Sequence, residues 1–476
     1  MLVRHTLCYL PTQLLSPLAQ LASMVLWTHW LAPEAMGAFT LVTVMQEMAY
    51  LACLGWFSTY ALRYLPPDND TTARQRYLAT ENTVVLACVA LSLVLAWPAT
   101  WTLPASGHRG LTALAVGLFF ATRALNAHYA ERARAQAGFG TYAILQLAGP
   151  VGGLLLGWVA LERIAPTADV LLFSYALAQA VGTVLALPGL GMRWRLKAPD
   201  TAMLKAALAF GGPVLGLSAL GWVAENHVRY LVQWQDSATA LGLMIVGWSL
   251  GRRCASVAAM LVTTAAFPLA SRLLNEGRQA EALRQLQVNA ALMLAVLAAA
   301  TVAMQFAGPE LAALTVSPAY REVTGQLLGL SVLSGMLRNL HVHATDQLML
   351  LQRRMGLIAR ISVIEILACG LGSAVGLWGW QLHGAVVGQA IGSALALGLS
   401  VWWARQQLGF VWPWADTLRI AAASSLMALA MTLYPSGEGL VHLVGSLLCG
   451  GLAYVLGCAM LYRDVLQHHW RIMRAA

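Results

Sequence analysis

Two adjacent arginines, Arg252 and Arg253, lie in the middle of an apolar stretch that runs from Ala240 to Thr264. Such a stretch can cross a bilayer, which takes roughly 20 apolar residues. A charge at the centre of a spanning helix costs at least about 2.5–3.5 kcal/mol. Because a guanidinium binds phosphate oxygens through a planar fork, the pair predicts a polar cavity that accepts an anionic group. The alternative is structural, with one arginine paired to an acid and the other bonded to backbone carbonyls.

A second polar run stands in the tenth apolar stretch and reads Arg338-Asn339-Leu340-His341-Val342-His343-Ala344-Thr345-Asp346. On a regular helix Arg338, His341 and Thr345 share one face, and Asn339, His343 and Asp346 share the adjacent face. This pattern favours sugar binding or a proton relay, since histidine titrates near neutral pH. We place Arg338 and His341 in the substrate site, and His343 and Asp346 among candidates for ion coupling or gating. Alternatively, the span ends near Arg338 and a solvated helix end follows. The i, i+2 spacing of the histidines suits no metal, so no metal site is predicted.

Two further acids lie in apolar stretches. Glu47 stands about 205 residues before Arg252, and we expect both to face the substrate cavity. Glu47 is either a gate that pairs with an arginine in one state or half of a fixed ion pair. Glu225 lies four residues before Arg229, so the two can pair on one helix, and it is a further candidate for coupling or gating. Arg4 and Arg63 would flank a cytoplasmic mouth, where they attract a lipid diphosphate or are ordinary loop cations.

The composition excludes a soluble protein. Of 476 residues, 59% are hydrophobic and 10% are charged, whereas soluble proteins carry about 25% charged residues. The formal charge of +9 is carried by residues in short loops, which favours contact with anionic membrane lipids and not with nucleic acid. No phosphate-binding loop, nucleophile elbow or metalloprotease motif is present. We predict an all-α multi-pass membrane protein that is not an enzyme and has no cofactor.

Fourteen membrane spans are predicted from the apolar windows, at residues 8–30, 36–60, 82–102, 110–130, 141–161, 169–189, 203–225, 240–264, 286–308, 324–346, 356–377, 383–403, 414–434 and 440–461. Alternate loops then hold most of the lysines and arginines, and the opposite side holds only Arg109, Arg163, Arg229 and Arg321. Basic loops stay in the cytoplasm. Both termini are therefore predicted to be cytoplasmic.

Two segments of the chain are similar. Trp30 and Gly37 of the first segment match Trp234 and Gly242 about 205 residues later, and prolines match in the preceding span. Chance similarity among common residues is the alternative. Internal repeats occur in transporters that bind substrate between two halves. The repeat predicts an N-lobe at 1–197, a C-lobe at 198–405, and two additional spans with a cytoplasmic tail at 406–476.

The segment Leu31-Ala32-Pro33-Glu34-Ala35-Met36-Gly37-Ala38-Phe39 resembles a turn of bacterial polysaccharide flippases, the Wzx-like O-antigen and capsule transporters of the multidrug/oligosaccharidyl-lipid/polysaccharide (MOP) superfamily. Ala240-Leu241-Gly242-Leu243-Met244 resembles that family's entry to span eight, and the stretch 267–272 resembles its proline-containing end. Two positions depart from the family pattern. Val228 stands where an acid often precedes the arginine, and Phe39 and Met244 replace the usual tyrosines.

The resemblance implies two six-helix lobes around a central cavity that works by alternating access. It implies a substrate of undecaprenyl-diphosphate-linked oligosaccharide, moved across the bacterial inner membrane for lipopolysaccharide, capsule or exopolysaccharide synthesis. A proton or sodium gradient would drive transport, and a polymerase and glycosyltransferases would be partners. The alternatives are a multidrug antiporter, disfavoured by the central arginines, a polytopic glycosyltransferase or ligase, and a lipid II flippase.

Overall fold

The computed structural model describes residues 2–67, 69–103, 109–192 and 198–464, without the side chains of 2–11, 13, 14 and 264–267. Within these residues every regular element is helical and no β-strand occurs, as the apolar composition predicts.

The described helices form fourteen rods, one for each predicted span. They are α1 Leu2–Trp27, α2 Pro33–Tyr64, α3 Thr71–Thr100, α4 Arg109–Ala135, α5 Phe139–Arg163, α6 Ala168–Leu190, α7 Thr201–Gln235, α8 Ala238–Asn275, α9 Gln279–Thr315, α10 318–351, α11 355–379, α12 382–408, α13 Trp414–Leu433 and α14 Leu440–Leu461. The span count predicted from the sequence is therefore confirmed.

Ten of the described helices are long and apolar enough to cross a membrane by length and composition. They account for every predicted span except the first, tenth and thirteenth, with α11 and α12 counted as one continuous helix. The chain is a multi-pass membrane protein. The tenth span falls below the hydropathy limit because it carries the polar run around His341.

Contacts divide the chain into two compact units, Met1–Gly242 and Leu243–Ala476, here called unit 1 and unit 2. Helix α7 belongs to unit 1, where a Cβ on its Gly211 would overlap the backbone of Trp56 in α2. The repeat assigned α7 to the second lobe. A repeat is defined by equivalent helices and not by contacts, so the predicted lobe boundaries stay a prediction.

In unit 1, the two glycines that carry the family resemblance pack against each other. A Cβ on Gly37 would overlap the carbonyl oxygen of Ala238, and a Cβ on Gly242 would overlap that of Pro33. The start of α2 therefore meets the start of α8 backbone to backbone, which only glycine permits.

In unit 2, α11 and α12 form a hairpin whose helices also touch through their backbones. The chain reverses at Trp380 and Gln381, where Gln381 adopts φ +52°. Each of Gly376 and Gly384 meets the other's carbonyl oxygen, and small residues continue the seam on both sides. Small residues are the usual means by which membrane helices approach closely.

Three of the rods contain a π-helical turn, at Leu51–Gly55 in α2, Ala148–Gly152 in α5 and His341–Thr345 in α10. In such a turn each residue bonds to the fifth residue along the chain, so one extra residue is accommodated. The faces predicted from α-helical spacing therefore change at these points. The turn in α10 lies inside the polar run found in the sequence.

We predict that Gly37→Ala lowers stability, because its new methyl group has to push α2 away from α8. Overpacking of this kind costs roughly 1–3 kcal/mol, visible as a lower unfolding temperature in detergent. The matched control is Gly212→Ala in α7, where a Cβ meets nothing within 4 Å. The control should keep or slightly raise the unfolding temperature. Equal values for the two variants would contradict this packing.

Candidate functional site

The arginine pair lies in the part of α8 that belongs to unit 2, and both side chains are half-buried. The guanidinium carbon of Arg252 stands 5.1 Å from the ring centre of Trp248, one helical turn earlier. A Cβ on Gly335 of α10 would lie 3.7 Å from Cδ of Arg252. Arg252 thus follows the groove between α8 and α10, over an aromatic face that stabilises a cation. Whether both arginines bind substrate stays a prediction.

The polar run of α10 forms a buried network with α11 and α12 inside unit 2. Nη1 of Arg338 donates to Oε2 of Glu365 at 2.6 Å, and Nδ1 of His341 lies 3.0 Å from Oδ2 of Asp346. The other ring nitrogen of His341 lies 3.4 Å from Oε1 of Glu365. Ser400 donates to the second oxygen of Asp346 at 2.8 Å. We refer to these five side chains as the unit 2 network.

Two interpretations of this run need correction. His341 and Asp346 were predicted on different faces, but the π-turn brings residues five apart together, so the two side chains touch. A solvated helix end after Arg338 is also wrong, since the rod continues to Leu351 and His341 is 1% exposed. Arg338 is held by Glu365 and is 8% exposed. Its guanidinium therefore serves a carboxylate within the protein, which argues against the predicted role in binding a diphosphate.

His343 lies on the same π-turn but faces other groups. Its side chain is half-buried, and its Nδ1 stands 3.5 Å from the amide nitrogen of Gln347. Its carbonyl oxygen accepts a hydrogen bond from Asn289 of α9 at 3.3 Å. These contacts tie the turn to α9. They do not test the predicted role of His343 in coupling.

Glu47 lines a polar cavity within unit 1 and pairs there with Arg123 of α4, at 2.8 Å between Oε1 and Nη2. The cavity has a volume of about 350 Å³, within the size range of small-molecule sites. Besides the pair, its wall carries side-chain amides, a hydroxyl-bearing pair and one indole, from Ser16, Gln20, Gln46, Tyr50, Asn126, Gln146, Gln179 and Trp222. We call this space the unit 1 cavity.

Three polar groups of the unit 1 cavity have no hydrogen-bond partner among the described residues. They are Oε1 of Gln46, Nδ2 of Asn126 and the indole nitrogen of Trp222. Buried polar groups are normally satisfied by protein, water or ligand. An acceptor and two donors directed at one space suit a hydroxyl-rich ligand or ordered water.

The remaining predicted residues lie apart from this cavity. Glu225 is exposed and Arg229 is half-buried, one turn apart on α7. Arg63, at the end of α2, is exposed, and its guanidinium carbon stands 5.2 Å from the ring centre of Phe210. The side chain of Arg4 lies outside the described residues.

Sequence reasoning missed a second buried network, in unit 1. Arg132 donates to Oε2 of Glu81 at 2.7 Å and to the carbonyl oxygen of Leu190 at 2.8 Å. His128 lies between Oε1 of Glu81, at 3.1 Å, and the hydroxyl of Ser58, at 2.9 Å. We call Ser58, Glu81, His128 and Arg132 the unit 1 network.

Arg132 was counted as a cytoplasmic loop residue, but it is fully buried on α4. A signal was available, because His128 and Arg132 are four apart on one helix and so face the same neighbour. Arg132 also precedes Arg338 by about 205 residues, the offset of the repeat. Each arginine pairs with a glutamate of another helix and has a histidine within one turn.

No protein-family model and no curated protein sequence matches the chain. Solved structures do share its fold. The lipid II flippase MurJ, in an inward closed conformation, has a TM-score of 0.72 at 11% identity and covers 98% of this chain and 100% of its own. An inward-facing multidrug resistance MATE family transporter of the MOP superfamily has a TM-score of 0.62 at 15% identity, covering 83% of this chain and 94% of its own. The Vibrio cholerae MATE transporter VcmN has 0.57 at 18% identity, covering 85% and 96%.

These structural neighbours are transporters and a flippase, not enzymes. The fold type expected from the family resemblance is thereby confirmed: this chain has the fold of a MOP-type transporter. At such identities the likeness establishes the fold alone.

We predict that Glu81→Gln and Arg132→Leu each destabilise the protein by about 3–5 kcal/mol, because removing one partner leaves the other charge buried. The control is Glu131→Gln, whose partner Arg134 lies 3.5 Å away and is half exposed. Exposed pairs contribute roughly 0–1 kcal/mol, so the control should unfold near the wild-type temperature in detergent. If Arg132→Leu unfolds like the control, Arg132 is a loop residue after all.

Proposed function

We propose that this protein is a flippase that moves an undecaprenyl-diphosphate-linked oligosaccharide from the inner to the outer leaflet of the bacterial cytoplasmic membrane by alternating access. The product would feed the synthesis of a surface polysaccharide such as O-antigen, capsule or exopolysaccharide. Transport would use a proton or sodium gradient, with both termini cytoplasmic. A polymerase and glycosyltransferases of the same pathway would act beside it.

The observation that carries this proposal is the arginine pair at the centre of α8. Its cost in an apolar helix is explained when a diphosphate is its ligand, because guanidinium groups bind phosphate oxygens bidentately. Arg252 keeps its guanidinium over Trp248, an arrangement that holds the cation in place before an anion arrives. A drug transporter for cations has no use for such a pair.

The extent of the structural likeness also supports a lipid-linked substrate. The lipid II flippase covers 98% of this chain, whereas the two MATE transporters cover 83% and 85%. Helices α13 and α14, at 414–461, are of the length that this difference requires. Fold analogy of this kind raises a hypothesis and does not assign a substrate.

The unit 1 cavity supports a carbohydrate headgroup. Its unsatisfied amides and indole offer both donors and an acceptor to sugar hydroxyls, and the Glu47–Arg123 pair adds charge at its wall. Sugar recognition relies on such convergent polar groups against one aromatic side chain.

Three alternatives remain. A multidrug antiporter is favoured by the MATE likeness, and ethidium efflux that depends on this protein would support it. A lipid II flippase differs in the headgroup, and competition by lipid II in a flipping assay would separate the two. A glycosyltransferase or ligase of the same pathway would transfer sugar in vitro.

The test is flipping of a fluorescent lipid-diphosphate oligosaccharide in liposomes that contain the purified protein. We expect Arg252→Ala and Arg253→Ala to slow flipping about 10-fold or more, since a hydrogen bond to a charged group contributes roughly 1.5–3 kcal/mol. The control Arg272→Ala removes an exposed α8 arginine 3.7 Å from Glu276 and should flip at the wild-type rate. Wild-type protein that flips no lipid-diphosphate sugar would overturn the proposal.

Glu47→Gln tests the gate at the unit 1 cavity. The change removes the charge that holds Arg123, so we expect slower flipping at an unchanged protein level, because the cavity can no longer switch this pair. Glu131→Gln, also on unit 1, is the control. Normal flipping by Glu47→Gln would show that the pair is only structural.

A further inference from the structure

The unit 2 network differs from the unit 1 network in its count of acids. In unit 1, Arg132 faces the single carboxylate of Glu81, so these two charges balance. In unit 2, Arg338 faces Glu365, and Asp346 adds a second carboxylate close by. A buried carboxylate has to be matched by a cation or a proton.

His341 occupies the position that can supply the missing charge. Its Nδ1 lies 3.0 Å from Oδ2 of Asp346, and its Nε2 lies 3.4 Å from Oε1 of Glu365. A neutral imidazole has one N–H and one lone pair, whereas the imidazolium has two N–H groups. With carboxylate oxygens at both nitrogens, only the imidazolium avoids directing a lone pair at an anion.

The carboxylate of Asp346 has donors for both of its oxygens. Oδ1 accepts from the hydroxyl of Ser400 at 2.8 Å, while Oδ2 faces Nδ1 of His341. Thr345 in turn contacts the Ser400 hydroxyl. This arrangement suits the ionised carboxylate, which is an acceptor only. The proton therefore belongs on His341.

The other groups around His341 do not replace this proton. Asn289 of α9 bonds to the backbone at His343 and carries no charge, and His343 itself faces Gln347. From α11, the thiol of Cys369 lies 3.8 Å from Ser393. Arg252 of α8 lies beside Gly335, one turn before Asn339 on α10, with its guanidinium over Trp248.

The corresponding histidine of unit 1 needs no such proton. Nε2 of His128 faces Glu81, but its Nδ1 faces the hydroxyl of Ser58, which can either donate or accept. A neutral His128 with its proton on Nε2 satisfies both contacts. The chain thus contains a matched internal control.

We propose that His341 holds a buried proton between Asp346 and Glu365, and that its binding and release couple a proton gradient to transport. Loss of the proton leaves one unmatched carboxylate in the unit 2 network, so release requires that water reach α10. The coupling part rests on the flippase function proposed above. It selects the proton over sodium as the driving ion.

The first experiment measures protonation directly, without transport. The probe is the protein with ¹⁵N-labelled histidine, in liposomes at about pH 8, above the ordinary histidine pKa of about 6.5. We expect an imidazolium signal that is absent in His341→Gln and retained in His128→Gln. Asp346→Asn should turn the same signal into that of a neutral imidazole, because one carboxylate is removed. An unchanged set of imidazolium signals in His341→Gln would overturn the proposal.

The second experiment measures coupling in liposomes. A pH gradient should accelerate wild-type flipping of the lipid-diphosphate sugar, His341→Gln should lose this acceleration, and His128→Gln should keep it. Acceleration by a sodium gradient alone would overturn the coupling. If the wild type flips no such lipid, the proposed function fails while the protonation measurement still decides whether His341 holds the proton.

Discussion

A charge inside a bundle of apolar helices has to be matched by another charge or by polar groups, because it has been taken out of water. Every ionisable group with a printed role in this structure obeys that constraint. Glu81 and Arg132 join α3 to α4, Glu365 and Arg338 join α11 to α10, and Glu47 and Arg123 join α2 to α4. The ion pairs therefore specify which helices are neighbours, a task that apolar side chains perform poorly in a lipid environment.

The constraint also separates structural charges from functional ones. Arg132 and Arg338 each bond to a glutamate on another helix and are nearly inaccessible. Glu47 and Arg123 are paired as well, but both remain about one-third exposed at a cavity wall. A pair with access to a cavity can exchange partners, whereas a sealed pair holds helices together.

Much of the fold could be predicted from the sequence, because apolar length and loop charge are local properties. The fourteen rods follow from them, including the hairpin that reverses near Trp380. The contact of Gly37 with Gly242 was implied only as a repeated motif. The site was harder, since Glu365 and Arg338 are distant in sequence and their pairing depends on packing. His341 and Asp346 were assigned to separate faces because α-helical spacing was assumed where a π-turn occurs.

That π-turn has a consequence for how α10 can move. Converting His341–Thr345 to regular α-helix would change the register by one residue, which rotates everything beyond it by about 100°. Asp346 would swing away from His341 and Ser400, while Arg338, on the preceding turn, would stay with Glu365. A single peptide unit would thus rotate the last turn and a half of α10 without any helix having to translate through the bilayer.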